Sequence, residues 1–271
     1  LYSSVAVGAI GYMLGAQIHL ADGSVINYTA GPAGAFFAVL VAAELGKLVY
    51  KSTKVDIIVT PVTVILSGYG ISRLICPAIA YVMYYLGDFI NTATELRPFA
   101  MGIIVSVVVG IILTLPISSA AICAMIGIAG LAGGAATAGC CAQMVGFAVM
   151  SFRENRWGGL IAQGLGTSML QMGNIIRRPQ IWLPTIITSA VTGPLSTVVF
   201  KLKNTGVSAG MGTSGLVGPL GVIGAEGEMG AFQWIGLVLI CVVIPAVLTL
   251  ALSELMLKLK LYKSEDMKLD L

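Results

Sequence analysis

The chain has 271 residues, of which 57% are hydrophobic and 10% are charged, and its formal net charge is +3. A soluble globular domain usually carries about a quarter charged residues, so the composition excludes that class and indicates an integral membrane protein. A spanning helix needs about 20 apolar residues, and the length therefore allows roughly eight to ten membrane-embedded segments. Long strands of alternating polar and apolar residues are absent, which disfavours an outer-membrane barrel.

Apolar stretches separated by polar turns predict an all-α polytopic fold. In chain order they cover residues 4–20, 29–48, 57–90, 98–115, 117–150, 181–200 and 232–257. Residues 57–90 exceed one straight span and contain Gly68-Tyr69-Gly70 and Arg73, so we predict two helical pieces there. Residues 117–150 are rich in Ala and Gly, which predicts two short, tightly packed helices.

The basic residues predict the orientation of the loops, because Lys and Arg favour the cytoplasmic side. On this rule the stretch 47–54, the hydrophilic loop 151–157 and the tail 258–271 are cytoplasmic, and the polar link 88–97 is external. If 181–200 crosses fully, then Arg177-Arg178 and Lys201/Lys203 cannot both be cytoplasmic. A segment that does not cross, at 158–175 or 206–228, would remove this conflict.

A seven-residue phrase occurs twice in apolar surroundings. The first phrase is Gly164-Leu165-Gly166-Thr167-Ser168-Met169-Leu170, and the second is Gly210-Met211-Gly212-Thr213-Ser214-Gly215-Leu216. Paired interruptions of apolar segments point to a binding site at mid-membrane depth. We therefore predict a site for a polar solute whose contacts come from both phrases: Thr167, Ser168, Gly212, Thr213, Ser214 and Gly215.

The segment 206–228 around the second phrase contains eight glycines and Pro219. Irregular backbone at membrane depth is tolerated only where protein or a water-filled cavity surrounds it. We predict a re-entrant hairpin here and a second one at 158–175. The alternative is a flexible extramembrane loop, which the apolar residues between the glycines disfavour.

Polar residues follow each phrase. Gln171 and Asn174 are three positions apart, hence on one face of a helix, and their amides suit the hydroxyls of a polyol. Glu226 and Glu228 close the second segment. A carboxylate at membrane depth is a candidate for solute binding or proton coupling; the alternative for these two is a solvated position at the interface.

Four further residues are candidates for coupling or for contact with an anion. Arg177 and Arg178 suit bidentate binding of a phosphate, and their alternative is anchoring at the membrane interface. Arg73 lies in an apolar run, where an unpaired charge is costly. His19 is the one histidine of the chain, and we weigh a ligand contact or proton relay against an interfacial position.

The residue pattern predicts no catalytic centre, no metal site and no cofactor. All five cysteines lie in apolar runs without metal-ligand spacing, so we expect small buried hydrophobic side chains. A single histidine provides neither a His-rich metal site nor a Ser-His-Asp triad. No phosphate-binding glycine motif is present, and a nucleic-acid partner is not expected.

The order of four motifs resembles a known family. The motifs are the run 54–61 (Lys-Val-Asp-Ile-Ile-Val-Thr-Pro), the run 113–121 (Leu-Thr-Leu-Pro-Ile-Ser-Ser-Ala-Ala), Gln163 to Gln171 with the first phrase, and Gly210 to Pro219 with the second. Together they resemble the EIIC-like membrane proteins of the bacterial phosphotransferase system. The branch with the nearest resemblance contains the perfringolysin regulator-like proteins.

The resemblance implies a homodimeric sugar permease with an elevator-like movement and two re-entrant hairpins. We assign a scaffold part to residues 1–115, a substrate-binding part to 117–230, the final span to 232–257 and the cytoplasmic tail to 258–271. Glu226 or Glu228 matches the family's sugar-binding glutamate, whereas His19 lies far from the region expected for its histidine. The chain has no phospho-carrier domain, so a separate carrier protein would supply any phosphate.

The functional expectation is a permease for a small polar solute, a sugar or a related metabolite, in the bacterial cytoplasmic membrane. Its partners would be the solute, membrane lipid, a second copy of the chain and a separate phospho-carrier protein. The alternative from another class is a membrane sensor that keeps the pocket but signals to a partner without net transport. A channel is the third functional hypothesis.

Overall fold

The computed structural model describes residues 2–19, 25–50 and 55–269. Thirteen helices and two strands are defined in this part of the chain. They are α1 (Tyr2–Met13), β1 (Gly15–His19), β2 (Val25–Thr29), α2 (Gly31–Val49), α3 (Asp56–Leu96), α4 (Pro98–Thr114), α5 (Ser119–Ile126), α6 (Gly130–Met150), α7 (Phe152–Ile161), α8 (Met172–Arg177), α9 (Leu183–Pro194), α10 (Gly206–Ala209), α11 (Val217–Glu226), α12 (Ala231–Val238) and α13 (Ile244–Lys258). The prediction of an all-α membrane fold is confirmed, with one small hairpin as an addition.

Five described helical stretches are long and apolar enough to cross a membrane: Gly31–Val49, Asp56–Leu96, Gly130–Met150, Pro179–Val199 and Ala231–Lys258. Two shorter apolar helices, Ser3–Met13 and Pro98–Thr114, accompany them. Two of these stretches, Pro179–Val199 and Ala231–Lys258, continue a helix through a π-helical or 3-10 turn. The predicted spans at 29–48, 98–115, 181–200 and 232–257 therefore all correspond to helix.

The chain divides into two compact units, Leu1–Asp88 with Ala124–Gly127, and Phe89–Cys123 with Ile128–Leu271. In the first unit, α1 and α2 pack closely at Gly11 and Gly34. A Cβ atom on Gly11 would lie 2.5 Å from the Gly34 carbonyl oxygen. Small residues that let backbones approach in this way are typical of helix contacts in membranes.

The predicted apolar segment 4–20 is wrong in its second half, where the chain forms an antiparallel hairpin. Gly15 of β1 pairs with Thr29 of β2. The backbone of Tyr28 leaves no space for a side chain on Gly15, and the β-branched and aromatic residues of β2 favour a strand. The polar turn 21–24 lies outside the described residues.

The two helical pieces predicted for 57–90 are a single helix, α3, of 41 residues. At 1.5 Å per residue it is about 60 Å long. Ser72 Oγ donates to the Gly68 carbonyl and Thr94 Oγ1 to the Ile90 carbonyl, so these hydroxyls bond within the helix. A glycine costs only about 1 kcal/mol in a helix, and the predicted external link 88–97 is helical as far as Leu96.

In the second unit, α6 is almost completely buried and packs against α4, α9 and α13. Its Ala and Gly residues allow this burial, because the backbone of Ser106 on α4 leaves no space for a side chain on Gly139. Residues 117–150 do divide into two helices, α5 and α6, but α6 is a span of 21 residues rather than a short helix. The predicted loop 151–157 is instead part of α7, which has a kink at Arg156 (φ 49°).

Gly139→Ala tests the close packing of α6. A methyl group would press on the Ser106 carbonyl, and overpacking of this kind costs about 1–3 kcal/mol. We expect a lower thermal unfolding temperature for the purified variant in detergent. Gly224→Ala is the matched control, because a Cβ atom at that helical position meets nothing within 4 Å. Equal unfolding temperatures for both variants would contradict the packing described.

Candidate functional site

The two phrases meet in the second unit. Thr213 Oγ1 of the second phrase donates a hydrogen bond of 2.6 Å to the carbonyl oxygen of Gly164, the first residue of the first phrase. The Thr213 side chain is buried, with 3% of its surface exposed. The repeated phrases therefore contribute to one contact region, which is the candidate functional site.

The second phrase interrupts its segment. Helix α10 ends at Ala209 and α11 begins at Val217, with left-handed backbone between them at Gly212 (φ 55°), Gly215 (φ 52°) and Leu216 (φ 60°). The Gly218 amide donates to the Gly212 carbonyl at 2.8 Å and closes the turn. Residues 206–228 therefore do not form one continuous helix.

The first phrase also breaks a helix, at Thr167. A π-helical turn, Ala162–Gly166, precedes this residue and a 3-10 turn, Ser168–Gln171, follows it. Thr167 has extended backbone (φ −160°, ψ 141°), and its Oγ1 accepts a hydrogen bond of 3.2 Å from the Met169 amide. This hydroxyl satisfies an amide that would otherwise have no partner at the helix start.

The glycines of the two phrases differ in their surroundings. A Cβ atom on Gly210 would lie 2.6 Å from the Ser119 carbonyl oxygen, and one on Gly212 would lie 2.8 Å from Cys140 Cβ. A Cβ atom on Gly166 would meet nothing within 4 Å, and this residue is exposed. Packing therefore requires glycine at 210 and 212, while open space lies beside Gly166.

Ser168, which was predicted to contact solute, contacts a neighbouring helix in the structure. Its side chain is fully buried, and its Oγ lies 3.0 Å from Thr114 Oγ1 of α4. A buried hydroxyl that bonds a neighbouring helix positions the first phrase.

Gln143 on α6 organises the buried polar groups beneath the phrases. Its Oε1 accepts hydrogen bonds from Trp182 Nε1 at 3.0 Å and from Thr185 Oγ1 at 2.8 Å. Thr114, the partner of Ser168, lies 3.4 Å from the same oxygen. Gln143 was not predicted, although the sequence carries a signal for it: it is the one amide side chain in a helix whose other residues, apart from Thr137, are apolar or glycine.

Asn204 is a second residue that the sequence analysis missed. Its Nδ2 donates to Thr137 Oγ1 of α6 at 2.8 Å and to the Gly218 carbonyl at 3.1 Å. Its Oδ1 accepts from Ser208 Oγ at 2.6 Å. This buried amide therefore connects Ser208 and Gly218, which lie on either side of the second phrase, to α6. It fixes the position of the second phrase.

Gln163, directly before the first phrase, is the third missed residue. It is fully buried, and its Nε2 donates to Ser151 Oγ at 2.8 Å. Its Oε1 has no hydrogen-bond partner among the described residues. A buried acceptor without a partner is costly, and the side chain is held in this position by its bonds to Ser151 and to the Gly159 carbonyl.

The predicted solute contacts Gln171 and Asn174 instead hold the C-terminal segment. Gln171 is fully buried, and its Nε2 donates to the Met267 carbonyl at 3.0 Å. Asn174 Nδ2 donates to Gln171 Oε1 and to the Lys268 carbonyl, both at 2.9 Å. These bonds engage both the nitrogen and the oxygen of the Gln171 amide, which gives the residue a structural role.

The predicted carboxylates differ from each other. Glu226 Oε1 accepts from the Lys203 amide at 2.7 Å, and Oε2 accepts from Gln233 Nε2 at 3.1 Å. Glu226 therefore anchors the backbone before and after the second segment, and both of its oxygens are engaged. Glu228 is exposed, as expected for a solvated position at an interface.

The remaining candidates lie on elements other than the two phrases. Arg177 and Arg178 are exposed and line a cavity with the C-terminal segment. Arg73 lies on α3 in the first unit and is exposed, without an ion pair to any described residue. His19 ends β1 in the same unit, and its side chain lies outside the described part of the chain.

The cysteines follow the prediction of small buried side chains. All five are buried free thiols. Within the described residues, no group of His, Cys, Asp and Glu has the arrangement of a metal site. The buried polar side chains of the second unit are hydroxyls and amides.

These features define a multi-pass helical membrane protein whose polar groups are concentrated around two breaks in the helical backbone. The model of the family described as "Phosphotransferase system, EIIC" matches residues 1–269. The chain belongs to this family. No curated protein and no solved structure shows a significant match to it. The resemblance inferred from the motifs is confirmed, while the perfringolysin regulator-like branch stays a prediction.

Gly212→Ala and Gly166→Ala test the division of the phrase glycines into packed and open positions. Alanine at 212 would need left-handed backbone and would meet Cys140, and such strain costs about 1–3 kcal/mol. We expect a lower unfolding temperature for Gly212→Ala and an unchanged one for Gly166→Ala, measured on purified protein. If Gly166→Ala were equally destabilised, the open space beside it would be an incorrect assignment.

Proposed function

We propose that the chain is the membrane permease component of a sugar transport system and that it binds a neutral polar solute, a sugar, between the two phrases. Membership of the EIIC family supports the role in sugar transport. The observation that carries the location is the hydrogen bond from Thr213 Oγ1 to the Gly164 carbonyl. It brings two separate helix breaks into one region, as expected for a mid-membrane solute site.

The residues of the two phrases favour a neutral solute over an ion. Neither phrase contains a charged residue, and Glu226, the half-buried carboxylate of the second segment, is engaged by Lys203 and Gln233. Thr167 and Ser214 are half-buried, and Gly166 and Gly215 are exposed. Hydroxyls and backbone groups of broken helices provide the donors and acceptors that the hydroxyls of a sugar require.

An elevator-like movement requires a part of the protein that carries the solute site as one packed body. Both phrases, Gln143 and Asn204 belong to the second compact unit. We propose that this unit moves; it includes the predicted substrate-binding part 117–230 apart from Ala124–Gly127. The proposed re-entrant hairpins are the segments 158–175 and 206–228, whose backbone is interrupted at the phrases.

The proposed partners follow from the family and from the residues. In phosphotransferase systems the EIIC component is the membrane part, so we expect a separate carrier protein to supply phosphate. Many large hydrophobic side chains of α3 are exposed, among them Leu66, Leu74 and Phe89. We expect lipid and a second copy of the chain to cover this surface, with the C-terminal tail on the cytoplasmic side.

Gly166→Leu tests the proposed site. We expect a thermal-shift screen of sugars, nucleosides and organic acids to identify a sugar that stabilises the wild-type protein. Leucine would fill the open space beside Gly166 and abolish this shift, without lowering the stability of the solute-free protein. Gly173→Leu is the matched control, because Gly173 is exposed and also has open space around its Cβ position; it should bind sugar normally.

The outcomes separate the proposal from its alternatives. Normal sugar binding by Gly166→Leu would overturn the location of the site. Transport and sensing are distinguished by the uptake of this sugar into proteoliposomes in the presence of the carrier protein. Binding of the sugar without uptake would favour the sensor. A stabilising organic acid with no effect of any sugar would overturn the assignment of a neutral solute.

Thr213→Val removes the hydrogen bond that joins the two phrases while keeping the shape of the side chain. We expect sugar affinity to fall about tenfold, since one buried hydrogen bond contributes about 1 kcal/mol or more. Thr213→Ser keeps the donor and should retain most of the affinity. Equal losses in both variants, measured by calorimetric titration, would show that the bond does not position the site.

A further inference from the structure

A polar cavity of about 270 Å³ lies where the chain after the first phrase meets the C-terminal segment. Its lining residues are Asn174, Arg177, Arg178, Glu265, Asp266 and Lys268. The cavity shares no residue with the two phrases. It therefore needs an explanation of its own, beyond the proposed solute site.

The C-terminal wall of this cavity is held in place by the protein. Met267 is fully buried and packs with Phe147, Ile175 and Met256. Its carbonyl accepts hydrogen bonds from Gln171 Nε2 at 3.0 Å and from Asn155 Nδ2 at 2.9 Å. The side chains that flank Met267 therefore extend from a fixed backbone.

Further bonds fix the residues on either side of Met267. The Leu269 amide donates to Asn155 Oδ1 at 2.8 Å, and the Lys268 carbonyl accepts from Asn174 Nδ2 at 2.9 Å. Because Asn174 also lines the cavity, the same bond joins its two walls. A cavity whose walls are connected in this way is preorganised, which lowers the entropic cost of binding.

Three of the charges that line the cavity are cations without an ion pair in the described part of the chain. Arg177, Arg178 and Lys268 are exposed and form no ion pair with any described residue. Of the two carboxylates, that of Asp266 already has a partner, because its Oδ2 accepts a hydrogen bond of 2.8 Å from the Lys263 amide. The formal sum over the three cations and two carboxylates is +1.

We propose that this cavity binds a phosphate group through Arg177, Arg178 and Lys268. Two adjacent guanidinium groups present planar donors that match phosphate oxygens in bidentate geometry. A phosphate is small enough for the cavity, and its charge complements the excess of cations. The phosphate belongs either to an anionic lipid headgroup or to a soluble phosphorylated compound or inorganic phosphate.

Titration of the purified full-length protein with inorganic phosphate tests the soluble source. The ionic strength is held constant with sodium chloride, so that screening does not imitate binding. We expect phosphate to raise the unfolding temperature of the wild type. We expect R177Q/R178Q to weaken the apparent affinity for phosphate about tenfold or more, because each hydrogen bond that is lost would join two charged groups. K258Q/K260Q is the matched control, since it removes two exposed lysines that do not line the cavity.

A second arm tests the lipid source. The protein is reconstituted in phosphatidylcholine nanodiscs with and without phosphatidylglycerol, and lipid-dependent stabilisation is compared between wild type, R177Q/R178Q and K258Q/K260Q. The site is supported if phosphate or phosphatidylglycerol stabilises the wild type and K258Q/K260Q but not R177Q/R178Q. The compound that has this effect identifies the source of the phosphate group. If both sources have no effect, or if R177Q/R178Q retains every effect, the proposal is overturned and the two arginines are interfacial anchors.

Discussion

The interior of this protein is arranged by one constraint: a polar group that is removed from water must find its hydrogen-bond partner within the protein. The hydroxyls and amides of the second unit follow this rule closely. Thr188 and Thr249 pair with each other at 3.0 Å, and Ser106 Oγ donates to the Ser189 carbonyl at 2.7 Å. Gln143 collects donors from α9 and from the turn before it. Small residues on α6 bring the neighbouring backbones close enough for these bonds to form.

The same constraint explains why the two phrases lie together. Each phrase breaks a helix, and each break leaves backbone groups without helical partners. Thr167 bonds the Met169 amide within the first phrase, while Thr213 bonds the Gly164 carbonyl across to it. Irregular backbone in a membrane protein persists where protein or a polar cavity surrounds it. The breaks are therefore stabilised by each other, and the exposed Gly166 and Gly215 lie at their edge.

Much of the fold followed from the sequence because spanning helices depend on apolar length, as in 98–115 and 232–257. The single helix α3 did not, since Gly68 and the polar residues after Asp88 weaken a helix without ending it. The hairpin β1–β2 was not predicted, because β1 lies within the apolar run 4–20. At the candidate site, the repeated phrase predicted two interruptions, and both phrases do lie at breaks in the helical backbone. Sequence alone could not show that Gln171, Asn174 and Glu226 bond to chain segments distant in sequence, nor that Gln143, Asn204 and Gln163 lie beneath the phrases.

The most direct test is an experimental structure of the protein with the sugar that the screen identifies. We expect the sugar to contact both phrases, with its hydroxyls bonded to backbone or hydroxyl groups at Gly166 and Thr167 on one side and at Ser214 and Gly215 on the other. A sugar that touches only one phrase, or that binds away from both, would contradict the claim that the repeated phrases form a single site.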